Sequence, residues 1–428
     1  MKRIVFAAAI VVCLGFEKAE SPTAPVIAWS DEARRAIVPA GPNGIFGSEN
    51  YGNKFPGEAA IYLGIVHAAI YDTAVALHGG YRPYAIALTA PAGTSAKAAI
   101  ATVVHDVLIG LQPTLGLTLE QQRRLEERYQ RYLAGVPESL AKSNGTALGT
   151  QVAQAVLKLR DNDGRDAVPQ LIDLNPLPPG RGVWDEGAAP AVGLRVPGIR
   201  PLVLRSASQF RLAGPTPLAS DAYARDFKQV AALGRFDSAR RRDEQTTQAL
   251  FWTDHDLRQW NDGLLRLAND QRLDLVQTAR MLAMAHAAGS DAMIACFDTK
   301  YTYWFWRPYQ AVPRADEDAN AATEADPSWQ PLRATPNFPE YPSAHACHTS
   351  AMATALTAFF GTDKIPFSLD SRMTNTTRKY HRFGNVVTDV NLARVLVGFH
   401  FRHSDQEGAR LGRRVARYVV THQFRPLD

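Results

Sequence analysis

Residues 59–77 read Ala-Ala-Ile-Tyr-Leu-Gly-Ile-Val-His-Ala-Ala-Ile-Tyr-Asp-Thr-Ala-Val-Ala-Leu, apolar on almost every side of a helical period. A helix with no polar face must be wrapped by other elements, so this segment alone demands a large core. Residues 96–111 repeat the character. Thr118 with Gln121 makes a capping box ahead of a charged amphipathic helix reaching to about 133, and Pro137 opens another reaching to about 159. Helical period returns at 222–233, 241–252 and 257–269, in a very long segment at 273–306, and then at 343–360, 385–398 and 405–423. Arg307-Pro308 closes the long helix, because the residue before proline is driven out of the helical region.

Two stretches break the pattern. Residues 161–217 carry Pro169, Pro176, Pro178, Pro179, Pro190, Pro197 and Pro201, and residues 309–341 are similarly proline-rich. Loops of that length often border a site. Few alternating runs read as strands. The expected fold is all-α, helical bundles wrapped by long irregular loops.

The 428 residues carry a formal charge of +5, with no dense run of Lys and Arg among aromatics. Nucleic acid is therefore not an expected partner, whereas a mild positive bias suits small anions. Lys2 and Arg3 precede an apolar run over residues 4–16, after which Glu17, Lys18 and Glu20 restore polarity. This reads as an export signal over residues 1–19, with an uncleaved anchor as the alternative, and places the protein in the periplasm or outside the cell. Residues 20–428 read as one large helical domain whose chemical motifs fall within 296–410. No further stretch reads as a transmembrane helix, so a soluble body is expected. With Cys13 in the leader, Cys296 and Cys347 remain as a disulfide or as two buried small residues.

Three segments carry chemistry: Lys300-Tyr-Thr-Tyr-Trp-Phe-Trp-Arg307-Pro308, Pro342-Ser343-Ala344-His345 and Arg394-Val-Leu-Val-Gly-Phe-His400. Lys300 and Arg307 stand seven apart, which predicts one shared helix face amid aromatics. Cations buried there demand an anion; snorkelling to solvent or pairing with Asp298 is the alternative. Ser343 and the amides of Ala344 and His345 open a helix, where free N–H groups cradle oxyanions. The plainer reading is a simple cap and a surface histidine. Arg394 and His400 lie about 120° apart on a straight helix. A bend at Gly398 would bring both to one ligand. Together the segments offer arginine forks, a lysine point charge, a hydroxyl and two imidazoles, a set suited to binding a tetrahedral oxyanion and acting on it.

In order and spacing these segments resemble the three-part signature shared by vanadium-dependent haloperoxidases and type 2 phosphatidic acid phosphatases: Lys, six residues, Arg-Pro; Pro-Ser-Gly-His; Arg, five residues, His. Gln209-Phe210-Arg211, Phe251-Trp252 and Trp260-Asn261 are similar to the soluble bacterial haloperoxidase-like branch. The chain departs from the pattern at Ala344, where Gly is usual, and at Ala393, where Ser is common. It departs again at Ser404, where an Asp four residues after the histidine often orients it; Asp405 is next along. The resemblance implies that Lys300, Arg307, Ser343, the Ala344 amide and Arg394 hold the equatorial oxygens of vanadate. It makes His400 the vanadium ligand, or the nucleophile of a phosphatase, and His345 the acid–base. Phe338 falls at a halide-pocket position that is Phe in chloroperoxidases. His348 tunes His345 or merely packs. His67, Asp72, His105 and Asp106 either surround the pocket or are satisfied core groups. The activity implied is a vanadate-dependent haloperoxidase that oxidises halide with hydrogen peroxide. The alternatives are an exported acid phosphatase acting through His400 and a non-catalytic oxyanion-binding protein.

Overall fold

The computed structural model describes residues 23–427; the expected export signal over residues 1–19, with Cys13, lies outside the described residues. The N-terminal part builds α1 (Ala24–Ile37), α2 (Pro56–His78), α3 (Ala96–Gly110), the single-turn α4 (Gln112–Leu115), α5 (Leu119–Ala134) and α6 (Leu140–Leu159). The middle holds α7 (Asp221–Leu233), α8 (Asp243–Phe251) and α9 (Asp256–Asp270). The C-terminal part holds α10 (Leu275–Tyr303), the single-turn α11 (Pro308–Ala311), α12 (Ala344–Phe360), β1 (Phe367–Ser371), β2 (Thr376–Tyr380), α13 (Phe383–Leu396) and α14 (Arg402–His422). The fold is mainly helical, as expected.

The all-round apolar run forms α2, which packs on α1, α3, α6 and α10. By length and composition α2 qualifies as a membrane span, so the expectation that no stretch beyond residues 1–19 would do so is corrected; 94% of its apolar window is buried within the protein. The long α10 is buried along nearly its whole length, against α2 and against α12 and α14. It therefore joins the N-terminal helices to those that carry the motifs.

Other expectations shift in detail. The helix assigned to Pro137 starts at Leu140, because the Ser139 hydroxyl, not the proline, caps it by accepting the Lys142 N–H at 3.3 Å. The antiparallel β1–β2 hairpin was not read from the sequence: only β1 alternates in burial, and β2 is largely exposed. Helix α1 was likewise unassigned. Residues 161–217 form no α-helix or strand, only short 3-10 turns. Polar anchors hold this stretch instead. Asp163 accepts from Arg160 and Arg165 at 2.8 Å each, and Asp291 of α10 accepts the amides of Leu202, Val203 and Leu204 at 2.6, 2.9 and 2.8 Å.

Cys296 and Cys347 are buried free thiols, so of the two readings the unpaired one describes the structure. Asp72 holds a turn by accepting the amides of Tyr84, Ala85 and Ile86, and His105 sits 2.9 Å from both Asp106 and Glu126. His67 stacks on His286 with ring centroids 4.2 Å apart. All four are core or scaffold groups rather than pocket walls.

Candidate active site

Helix α10 stops at Tyr303 because Trp304 adopts a left-handed conformation, φ 51°. Lys300 thus lies in the last turn, and Arg307 lies beyond the helix at the head of α11. The expectation of one shared helix face is corrected. The two cations meet over the Phe338 ring instead, 4.9 and 4.6 Å from its centroid. Both are fully buried. Lys300 Nζ donates to the carbonyls of Pro339 and Glu340 at 2.8 and 2.9 Å, and Arg307 Nε donates to Phe338 O at 2.8 Å. Asp298, the counter-ion considered for Lys300, is held by Arg211 at 2.7 and 2.6 Å.

Ser343 occupies the N-cap position of α12, yet its hydroxyl does not cap the helix and has no hydrogen-bond partner. The first-turn amides are therefore left without a side-chain cap. Ala344 lies inside the helix and is not among the positive-φ residues, so Ala in place of Gly is unstrained. His345 follows, its Nε2 unpartnered. Asp256 at the head of α9 stands behind it, fully buried, with His348 Nδ1 3.0 Å from its Oδ2.

Between α13 and α14 the chain bends at Gly398, φ 82°. Only glycine fits there: a Cβ would sit 2.7 Å from Gly234 O and 2.9 Å from Pro331 Cβ. The bend lets Arg394, near the end of α13, and His400, in the linker, face one space. Arg394 donates to Trp252 O at 2.6 Å, lies 4.8 Å over the Phe399 ring and leaves Nε unpartnered. His400 places Nε2 3.0 Å from Arg307 NH1 and Nδ1 2.9 Å from Glu340 Oε1.

That space is a cavity of about 150 Å³. Arg307, Ala344, His345, Arg394 and His400 form its polar side; Phe55, Pro56, Val192, Met293, Phe297, Pro336 and Phe338 form an apolar wall. Lys300 and Ser343 are buried but do not line it. Among the described residues, no carboxylate lies within ion-pair distance of Lys300, Arg307 or Arg394, and no cluster of His, Cys, Asp and Glu suits a bare metal ion.

The electrostatics follow from burial of like charges. Burial and Arg307 lower Lys300 to about 7, and burial lowers Arg307 and Arg394 to about 10. Burial and Arg394 lower His345 to about 3; burial, with Arg307, Lys300 and Arg394, holds His400 well below its ordinary value. Burial raises Glu340 to about 7 against the pull of Ser404, Arg307 and Lys300. For Asp256, burial is outweighed by His348 and His345, which hold it below the usual carboxylate range.

Residues 280–428 match the family model of the VCPO second helical-bundle domain. Over 96% of this chain and 99% of the other, the structure superposes on the first bacterial vanadium-dependent iodoperoxidase with a TM-score of 0.75 and 22% identity. The fold is that of the vanadium haloperoxidases. Bacterial vanadium-dependent chloroperoxidases share it at 15% identity: the holo form with a TM-score of 0.66 over 89% of this chain and 96% of that one, the apo form with 0.63 over 87% and 95%. At these identities the likeness is one of fold. No curated protein sequence matches the chain.

Within this haloperoxidase fold, three features escaped the sequence reading. Glu340 lies in Pro-Glu-Tyr-Pro-Ser just ahead of the second motif, an acidic residue in an apolar run. Asp256 lies in Thr-Asp-His-Asp at 253–256. The wall residues Phe55 and Pro56 come from the start of α2 and carry no local signal of a site.

Proposed function

We propose that the protein is a vanadate-dependent haloperoxidase-like enzyme that oxidises halide with hydrogen peroxide. The observation that carries this is a cavity lined by Arg307, Arg394, His345 and His400, with Lys300 buried close behind, in which none of the three cations has a carboxylate within ion-pair distance and Arg394 Nε and His345 Nε2 lack a hydrogen-bond partner. Unpaired buried charge is costly. A tetrahedral oxyanion satisfies all of these groups at once, so the residues present fit vanadate. Lys300, Arg307, Ser343, the Ala344 amide and Arg394 would bind its oxygens, and His400 Nε2 would bind vanadium. When bound, vanadate supplies a Lewis acid that activates peroxide toward halide without changing its own oxidation state.

The side chains have separate tasks. Lys300 spends two N–H bonds on carbonyls and keeps a third for the anion or for peroxide. His345 is neutral above about pH 3, so its Nε2 accepts the proton that peroxide releases. Asp256 stays charged behind it and favours the imidazolium that results. Phe55, Val192, Phe297 and Phe338 keep bulk water from the polar side and offer a weakly hydrated halide an apolar berth. Export on the leader at residues 1–19 belongs to the same proposal.

The test is halogenation of a phenolic dye with vanadate, peroxide and either iodide or bromide, run beside hydrolysis of a chromogenic phosphate monoester without vanadate. Halogenation abolished by His400→Ala is expected. Hydrolysis alone would turn the reading to the phosphatase, and vanadate binding with neither activity would turn it to an oxyanion-binding protein.

A further inference from the structure

We infer that Glu340 is the positioning residue of His400, holding it in the tautomer that presents a lone pair to the cavity, with Ser404 as its matched partner. The inference rests on the reading of His400 as the group that engages the oxyanion.

Three donors converge on this one carboxylate. Oε1 accepts from His400 Nδ1 at 2.9 Å and from the Phe401 N–H at 3.0 Å, and Oε2 accepts from the Ser404 hydroxyl at 2.6 Å. Glu340 is fully buried. The other ring nitrogen, Nε2, faces Arg307 NH1 at 3.0 Å. A guanidinium has hydrogens to give and no lone pair to offer, so Nε2 must be the acceptor. Nδ1 faces a carboxylate and must carry the hydrogen. Both contacts select the same tautomer, and the lone pair it leaves at Nε2 is the one required for binding vanadium or attacking phosphorus.

The geometry also accounts for Ser404. The motif resembled here often carries Asp at that place to orient its histidine. In this chain an aspartate in place of Ser404 would set a second carboxylate against Glu340 Oε2, where the hydroxyl now donates. Here Glu340 supplies the carboxylate to the imidazole, and Ser404 supports it through the other carboxylate oxygen. Asp405 does not take the part: it makes no bond to His400, and its buried carboxyl faces Ser343 and Arg394. Glu340 further ties the three motif segments together. Its carbonyl accepts from Lys300 Nζ at 2.9 Å, its side chain holds His400, and it stands three residues before Ser343.

The test uses the full chain and four proteins: wild type, Glu340→Gln, Ser404→Asp and the double variant Glu340→Gln/Ser404→Asp. The tautomer of His400 is read by NMR of protein labelled with 15N-histidine, and orthovanadate and inorganic phosphate affinities by calorimetry. In wild type His400 is expected as the Nδ1–H tautomer. Because Arg307 NH1 still donates to Nε2, Glu340→Gln is expected to keep that preference in weakened form and to bind vanadate about 10–100-fold more weakly, Ser404→Asp alone to bind more weakly than wild type, and the double variant to recover most of the affinity. Near-ultraviolet circular dichroism confirms that each variant is folded. An unchanged tautomer and affinity in folded Glu340→Gln, or no recovery in the folded double variant, would overturn the role of Glu340. Failure of wild type to bind either anion would overturn the functional reading alone, because the tautomer decides Glu340 independently.

Discussion

Buried cations are treated in two opposite ways in this molecule. In the scaffold, Arg258 is 2% exposed and is clamped by Asp254 at 2.6 Å and Asp262 at 3.0 Å, and Arg160 is 1% exposed and lies 2.6 Å from Asp163. Around the cavity, Lys300 and Arg307 are 0% exposed and Arg394 is 3% exposed, yet they bond only to carbonyls, to aromatic faces and to an imidazole. The scaffold neutralises its charge internally. Around the cavity no carboxylate stands within ion-pair distance of the cations, and on the proposed reading that charge is left for an anion from outside.

The comparison breaks most visibly at Arg258. Replacing it with Met leaves the buried Asp254 with only backbone N–H donors and Asp262 with Arg34 alone, and a stability loss of about 3–5 kcal/mol is expected in denaturant unfolding. Arg394→Met should behave in the reverse sense. Anion-free stability should fall by less than for Arg258, about 1–2 kcal/mol, because one carbonyl bond and the attraction of Asp405 are lost while the repulsion of Arg307 is relieved. Vanadate affinity by calorimetry should fall roughly 100-fold, about 2.7 kcal/mol. A large stability loss here would place Arg394 with the scaffold.

Saturating anion sharpens the same contrast. Vanadate or phosphate at a hundred times its Kd should stabilise the wild type by about 2.7 kcal/mol. The Arg307→Met/Arg394→Met double variant should show no such shift. The smallest effect is on pH. Lys300 is lowered to about 7, so it is charged below that pH and loses its proton above it. Anion binding favours the charged form, and affinity should fall as pH rises, roughly tenfold between pH 6 and 8. Lys300→Met should keep only the slope of the anion's own titration. An identical slope in both proteins would show that Lys300 does not face the anion.

The sequence revealed the helical class and the identities of the cations, because helical period and motif spacing are local properties. It did not reveal where the elements end. Pro308 signalled the close of α10 correctly in kind, but the left-handed turn at Trp304 comes four residues earlier and removes Arg307 from the helix face it was assigned. Gly398 was legible as a bend because glycine tolerates positive φ, and the close approach of Gly234 shows why nothing larger serves. Glu340 was not legible. Its partners His400 and Ser404 are distant in sequence, and a lone acid in a proline-rich loop carries no period. The same holds for Asp256, at the head of α9 beside His348, and for Phe55, brought to the cavity only by the packing of α2 on α10.

The central claim is that one tetrahedral oxyanion neutralises Lys300, Arg307 and Arg394 together. Calorimetric titration of the full chain with orthovanadate, beside Arg307→Met/Arg394→Met, tests it most directly. Saturable binding of one anion per chain, lost in the double variant, is the result expected. Binding of equal strength in the double variant, or none in the wild type with either vanadate or phosphate, would contradict it.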